Sequence, residues 1–261
     1  MSRVLVLLRK ELLEVRRSRG LLFAMAALPA TMLSVPILLV LTAVHATDAD
    51  AANLLGFYRA AAPAVADPRQ AFVLLAVQNC VALFLVMPLF IPVLIAAQSI
   101  AGEKERHTIE PLLASPLRSA EIVLGKSLGA VVPALGITGI AFVLFAAAVD
   151  GIAWPVFGRP VLPDAAWTFA VLVLAPLLCF LGNTVTVLVS SRVGDSRLAQ
   201  QISALLVVPL LALVSVQFTG LLYLGPWFYL WLGLGAAVLD AALFALAVRL
   251  FDRQRILTRW G

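Results

Sequence analysis

The sequence predicts an all-α polytopic membrane protein with six transmembrane helices, and three observations carry that expectation. First, 62% of the 261 residues are hydrophobic and only 13% are charged, against roughly 45–50% and about 25% in soluble domains. Second, the apolar residues fall into six continuous runs, each near the ~20 residues that a helix needs to cross a bilayer. Third, the runs lack the alternation of a barrel strand, and in lipid a helix is the other way to satisfy every backbone N–H and C=O. A mean hydropathy of +1.04 agrees. This composition excludes a soluble enzyme, a secreted disulfide scaffold and a disordered tail.

Residues 1–20 read as an amphipathic helix lying in the cytoplasmic interface. At 100° per residue, Leu5, Leu8, Leu12 and Val15 share one face and Arg3, Lys10, Glu14 and Arg17 the opposite one, with arginines at headgroup level. The first long apolar run begins after Gly20. It exceeds a signal-peptide core and has no small-residue cleavage site before Asp48, so it reads as a span. Spans are expected at about 21–44, 71–98, 122–149, 166–190, 200–218 and 227–249. The second and third are long enough to tilt or to project beyond the lipid. Together, residues 21–249 form one transmembrane domain, followed by a basic tail at 250–261. Segment 219–226 carries no charge and is expected to dip into the outer leaflet as a short re-entrant element.

The net charge is +5, but the basic residues flank the ends of apolar runs instead of forming one stripe. That pattern sets membrane orientation and argues against nucleic acid as a partner. Segments 1–20, 99–126, 191–199 and 249–261 hold sixteen Lys and Arg residues, while the other side holds Arg59, Arg69 and Arg159. Sixteen against three places both termini in the cytoplasm of a multi-pass cell-membrane protein, expected in a bacterial or archaeal inner membrane.

No catalytic constellation emerges. Gly125-Lys126-Ser127 resembles the end of a phosphate-binding loop, yet Ala120 stands where glycine is required and the stretch opens an apolar helix. His45 and His107 fall on opposite sides, so they form no metal pair, and no GxSxG elbow occurs. Cys80 and Cys179 sit inside apolar runs and read as small buried hydrophobes. No metal or cofactor is expected in this chain.

Three intramembrane polar residues are candidates for a substrate pathway. Asp240 lies nine residues before Arg249, about 13 Å up span six at 1.5 Å per residue. A carboxylate at that depth costs about 2.5–3.5 kcal/mol and should face protein or water. It reads either as a pathway group or as a hydrogen-bonded interhelical acid, with Asn183 as one conceivable partner. Gln78 and Asn79 on span two are weaker candidates.

The loop after span two carries most of the information. Glu103, Glu105, Arg106 and Glu110 cluster charge there, and Thr108 is placed to cap a helix with Pro111 in its first turn. Ile109, Leu112 and Leu113 then make a small apolar face, before Ser115-Pro116 stops the helix. A short amphipathic helix on a charged loop has the shape of a docking element; the alternative is an ordinary solvated loop.

The run Gly102-Glu103-Lys104-Glu105-Arg106-His107-Thr108-Ile109-Glu110-Pro111-Leu112-Leu113-Ala114-Ser115-Pro116-Leu117, followed by Glu121-Ile122-Val123-Leu124-Gly125-Lys126, resembles the signature of type-2 ABC permeases. These are the membrane subunits of ATP-binding cassette exporters. Arg9-Lys10-Glu11-Leu12 is similar to the family's interfacial helix, and His107 stands where the family usually has glycine. The resemblance implies a dimer with a second copy or a paralogue, and two separate ATPase subunits that bind ATP and Mg. It also implies a coupling role for Glu103, Glu105, Arg106, Thr108, Ile109, Glu110, Leu112 and Leu113. The chain itself is then a transporter subunit and not an enzyme. The alternative reading is a stand-alone channel or intramembrane enzyme, which should show clustered polar groups where this chain has scattered singles.

Overall fold

A computed structural model describes residues 3–57, 67–105, 119–219 and 224–250. Six helices are long and apolar enough to cross a membrane: Arg19–His45, Pro68–Glu103, Ala120–Phe157, Ala165–Arg192, Ser196–Phe218 and Trp227–Arg249. These spans one to six coincide with the six expected runs, and no strand occurs among the described residues.

Polar residues start the helices and proline breaks them. Helix α1 (Arg3–Arg17) is separated from α2 (Arg19–His45), which is span one, by Ser18, whose hydroxyl accepts the Leu21 N–H at 3.4 Å. Helix α3 (Asp48–Phe57) follows, in a stretch expected only as a connection. Asp67 caps α4 (Pro68–Phe84), with Pro68 in the first turn where no N–H is needed. Span two then breaks at Leu85 before α5 (Val86–Glu105), because Pro88 lacks the N–H that would reach the Phe84 carbonyl. Span three is α6 (Ser119–Phe157), longer than its apolar run. Asp164 caps α7 (Ala165–Phe169) through the Trp167 N–H. A π turn at Ala170–Leu174 then leads into α8 (Ala175–Arg192), completing span four. Asp195 caps α9 (Ser196–Ala204), and α10 (Val207–Phe218) completes span five. Span six lies within α11 (Pro226–Leu250). The re-entrant element expected at 219–226 falls largely on residues 220–223, outside the described residues.

Span two is the axis of the bundle. In its most apolar stretch 89% of residues are buried, against 17% in span six, which lies at the periphery. Spans one, three, four and five all pack on span two, and span six packs mainly on span four. Spans two and four pack tightly at Gly182, where a side chain would overlap the Leu89 carbonyl oxygen. Small residues permit this approach where water supplies no hydrophobic drive between helices. Trp167 anchors the half of the bundle away from α1, with ring centroids 5.2 Å from Phe84 and 4.9 Å from Phe145. At that same end the Arg69 guanidinium donates to the Val44 carbonyl, tying spans one and two. Asp150 accepts the Val161 and Leu162 N–H groups at 2.7 and 2.9 Å, folding the span three–four connection back on its helix.

Candidate functional site

Helix α1 does not rest on lipid alone; it is seated in span three. A Cβ at Gly125 would lie 2.5 Å from Leu7 Cδ2, and one at Gly129 would lie 2.5 Å from Glu11 Cβ. The Gly125-x-x-x-Gly129 spacing therefore opens a groove one helical turn long, and Leu7 and Glu11, also four apart, fill it. This seat fixes which side of α1 faces the bundle. Leu7, Glu11 and Val15 are buried with Leu8 and Leu12 half-buried, while Leu5 is 49% exposed.

Glu11 can turn inward because its charge is met there. Lys126, one residue after Gly125, donates to Glu11 Oε1 at 3.1 Å and to the Ser99 carbonyl and hydroxyl at 3.0 Å. The Ser99 hydroxyl donates to Glu11 Oε2 at 2.7 Å. Lys126 also pairs with Glu103 Oε2 at 2.9 Å, and Lys10 donates to Glu103 Oε1 at 2.7 Å. Lys126, Glu11 and Glu103 are 4%, 3% and 7% exposed, so the charges of three helices meet out of solvent. A buried pair is tolerated when its remaining lone pairs and protons are satisfied, and Ser99 does that here. Lys10 closes the rim, with Glu14 at 3.2 Å. Burial lowers the Lys10 pKa, but the Glu103 hydrogen bond and the charges of Glu103, Glu11 and Glu14 outweigh it, holding Lys10 above its ordinary value. The carboxylates of Glu11, Glu14 and Glu103 converge within 4.8 Å, and the ammonium groups of Lys10 and Lys126 sit among them.

The expected coupling residues divide accordingly. Glu103, read as a docking charge, is buried in the ion cluster. Glu105 is exposed and its Oε1 accepts the Ser196 N–H at 2.6 Å, tying the end of α5 to the start of span five. Arg106, Thr108, Ile109, Glu110, Leu112 and Leu113 lie outside the described residues. Gly125-Lys126-Ser127 turns out to be packing and pairing: Gly125 seats Leu7, Lys126 centres the cluster, and Ser127 Oγ accepts from Asn183 at 2.8 Å. Sequence reasoning missed Glu11, Ser99 and Lys126. The available signals were Glu11 falling inside the apolar arc of α1, and the paired glycines around Lys126.

The intramembrane candidates are not brought together. Asn79 is buried and its Oδ1 accepts from Gln217 Nε2 at 2.8 Å; Gln78 beside it is half-buried. Asp240 is half-buried, and both of its carboxylate oxygens are enclosed without a hydrogen-bond partner among the described residues. The pairing with Asn183 is not made.

Six apolar spans, with a charged joint where the second and third meet α1, describe a multi-pass membrane protein. Among curated proteins none matches the chain. The family model described as ABC-2 family transporter protein matches residues 5–230. The chain belongs to that family and is a membrane-spanning permease component of an ABC transporter.

Proposed function

We propose that this permease exports its cargo by alternating access, as one half of a dimer with a second copy or a paralogue. Two ATP-binding subunits dock on the 106–118 side and supply the nucleotide chemistry, with ATP and Mg bound in those subunits. The observation that carries the reading is the charged joint at the base of the 106–118 segment, where three helices meet. A partner that displaces this segment displaces spans two and three with it. The nucleotide state of the partner then favours one arrangement of the spans over the other. Both termini and the joint are cytoplasmic in this reading, supported by the sixteen-to-three distribution of basic residues. Ile109, Leu112 and Leu113 are the apolar anchors, with Arg106, Thr108 and Glu110 orienting the partner.

The test is purification of the tagged permease together with a co-expressed ABC-type ATP-binding subunit. Stoichiometric recovery, and ATP hydrolysis that depends on the permease and responds to transported compounds, support the reading. A permease that conducts or reacts without any ATP-binding subunit overturns it.

A further inference from the structure

We infer that Lys126, Glu103 and Glu11 are positioning residues: a desolvated charge clamp that makes α1, the end of span two and the start of span three one rigid body. A push on the 106–118 segment is thereby delivered to the membrane helices instead of being absorbed in the segment. The inference rests on the ATPase-driven reading above.

Three features of the joint support it. Glu103, near the end of α5, and Lys126, two turns into α6, are paired at 2.9 Å, so the two helices that carry the segment are pinned to one another. The two helices cannot part or slide at this point without breaking a buried pair, which would leave an uncompensated charge out of water. Next, the same two groups reach α1, Lys126 through Glu11 and Glu103 through Lys10. The groove over Gly125 and Gly129 leaves α1 no slack, since Leu7 and Glu11 already occupy the space of the missing side chains. Finally, only Ser18 separates α1 from span one, so displacement of α1 carries span one with it. The clamp therefore links one loop to spans one, two and three. Its core lies with the buried groups, because Lys10 and Glu14 on the rim are 43% and 52% exposed and exposed pairs contribute little.

The clamp is tested in the assembled permease–ATPase complex with two sets of variants. Leu7→Cys with Gly125→Cys allows a disulfide between α1 and span three, since a Cβ at Gly125 lies 3.1 Å from Leu7 Cβ and a shift of a few tenths of an ångström reaches bonding geometry. The two natural cysteines are buried, and the reduced form of the same variant is its own control. A rigid body predicts that oxidation leaves permease-dependent ATP hydrolysis within about twofold of the reduced form, below the usual size of a linkage between sites. Lys126→Met with Glu11→Gln removes one charge of each sign and leaves Glu103 paired to Lys10. This charge-balanced variant should still co-purify with the ATPase yet lose permease-dependent hydrolysis by about tenfold, and Lys126→Arg should retain it. Arrest of hydrolysis by the disulfide overturns the inference, because α1 must then leave span three during the cycle. Wild-type coupling in the charge-balanced variant overturns it equally. Failure of the unaltered permease to bind any ATPase instead refutes the functional reading beneath it.

Discussion

Gln217 of span five donates through Nε2 to Oδ1 of Asn79 in span two across 2.8 Å, and both side chains are buried. The pair joins the central span to one packed at its side, at the end of the bundle away from α1. Its geometry reads as interhelical bonding and argues against Asn79 as an open pathway group.

The expected consequence is a strong coupling between the two positions. Asn79→Leu leaves the Gln217 amide buried without this partner and should cost about 1–3 kcal/mol. Asn79→Leu with Gln217→Leu removes both polar groups and should recover most of that loss. Thermal unfolding of the purified permease in detergent measures all three variants. Additive losses in the double variant would show that the two amides act independently.

Two glycines should behave oppositely to the same change. At Gly182 an added methyl meets the Leu89 carbonyl, so a helix backbone must move. Gly182→Ala should therefore destabilise by about 1–3 kcal/mol or more. A methyl at Gly136 meets nothing within 4 Å, and alanine there should be neutral or stabilising by up to ~1 kcal/mol. Gly125→Ala falls between, since its clash is with the Leu7 side chain, and Leu7→Ala should relieve it. Equal melting shifts at Gly182 and Gly136 would contradict the close approach of spans two and four.

Those glycines mark where the sequence was legible and where it was not. Each span is a continuous apolar run, a local property that needs no knowledge of neighbours, and all six were found. The charged joint depends on partners far apart in sequence: Glu11 and Lys126 are separated by 115 positions. Without that partner, Lys126 carries only a rejected resemblance to a phosphate loop, and Glu103 reads as a docking charge in Glu103-Lys104-Glu105. The periodicity of α1 likewise defines an apolar arc, but only the groove on span three selects which part of it faces the bundle.

Asp240 tests whether an enclosed acid is kept for stability. Neither carboxylate oxygen has a hydrogen-bond partner among the described residues, so Asp240→Leu should stabilise the permease by about 1–3 kcal/mol. If Asp240 is a pathway group, the same variant should lose permease-dependent ATP hydrolysis while still assembling. A drop in melting temperature would instead show that the carboxylate is bonded in the assembled complex.

Orientation is read out by cysteine labelling in intact cells. Asp48 and Arg159 are exposed at the end away from α1, and Asp48→Cys and Arg159→Cys should react with an impermeant thiol reagent. Cysteines at Ser2, Ser119 and Thr258 should react only after the membrane is opened. Labelling at Thr258 from outside would reverse the orientation or remove a span.

The coupling segment yields the sharpest prediction, because Glu105 has two separable properties. It carries a charge at an exposed position, and its Oε1 accepts the Ser196 N–H at 2.6 Å. Glu105→Gln keeps an acceptor for Ser196 and removes the charge. Glu105→Ala removes both, and Glu105→Lys reverses the charge. If Glu105 braces span five and also orients the ATPase, permease-dependent hydrolysis should fall least in the Gln variant and most in the Lys variant, where like charges would oppose a basic partner surface. Leu112→Asp attacks the apolar anchor instead, and should weaken ATPase binding by about tenfold or more, since a few such side chains dominate an interface. All four must be compared at equal membrane abundance, because misfolding imitates uncoupling. A Gln variant as impaired as the Lys variant would assign the whole effect to charge. Wild-type behaviour in all four would leave the segment an ordinary loop.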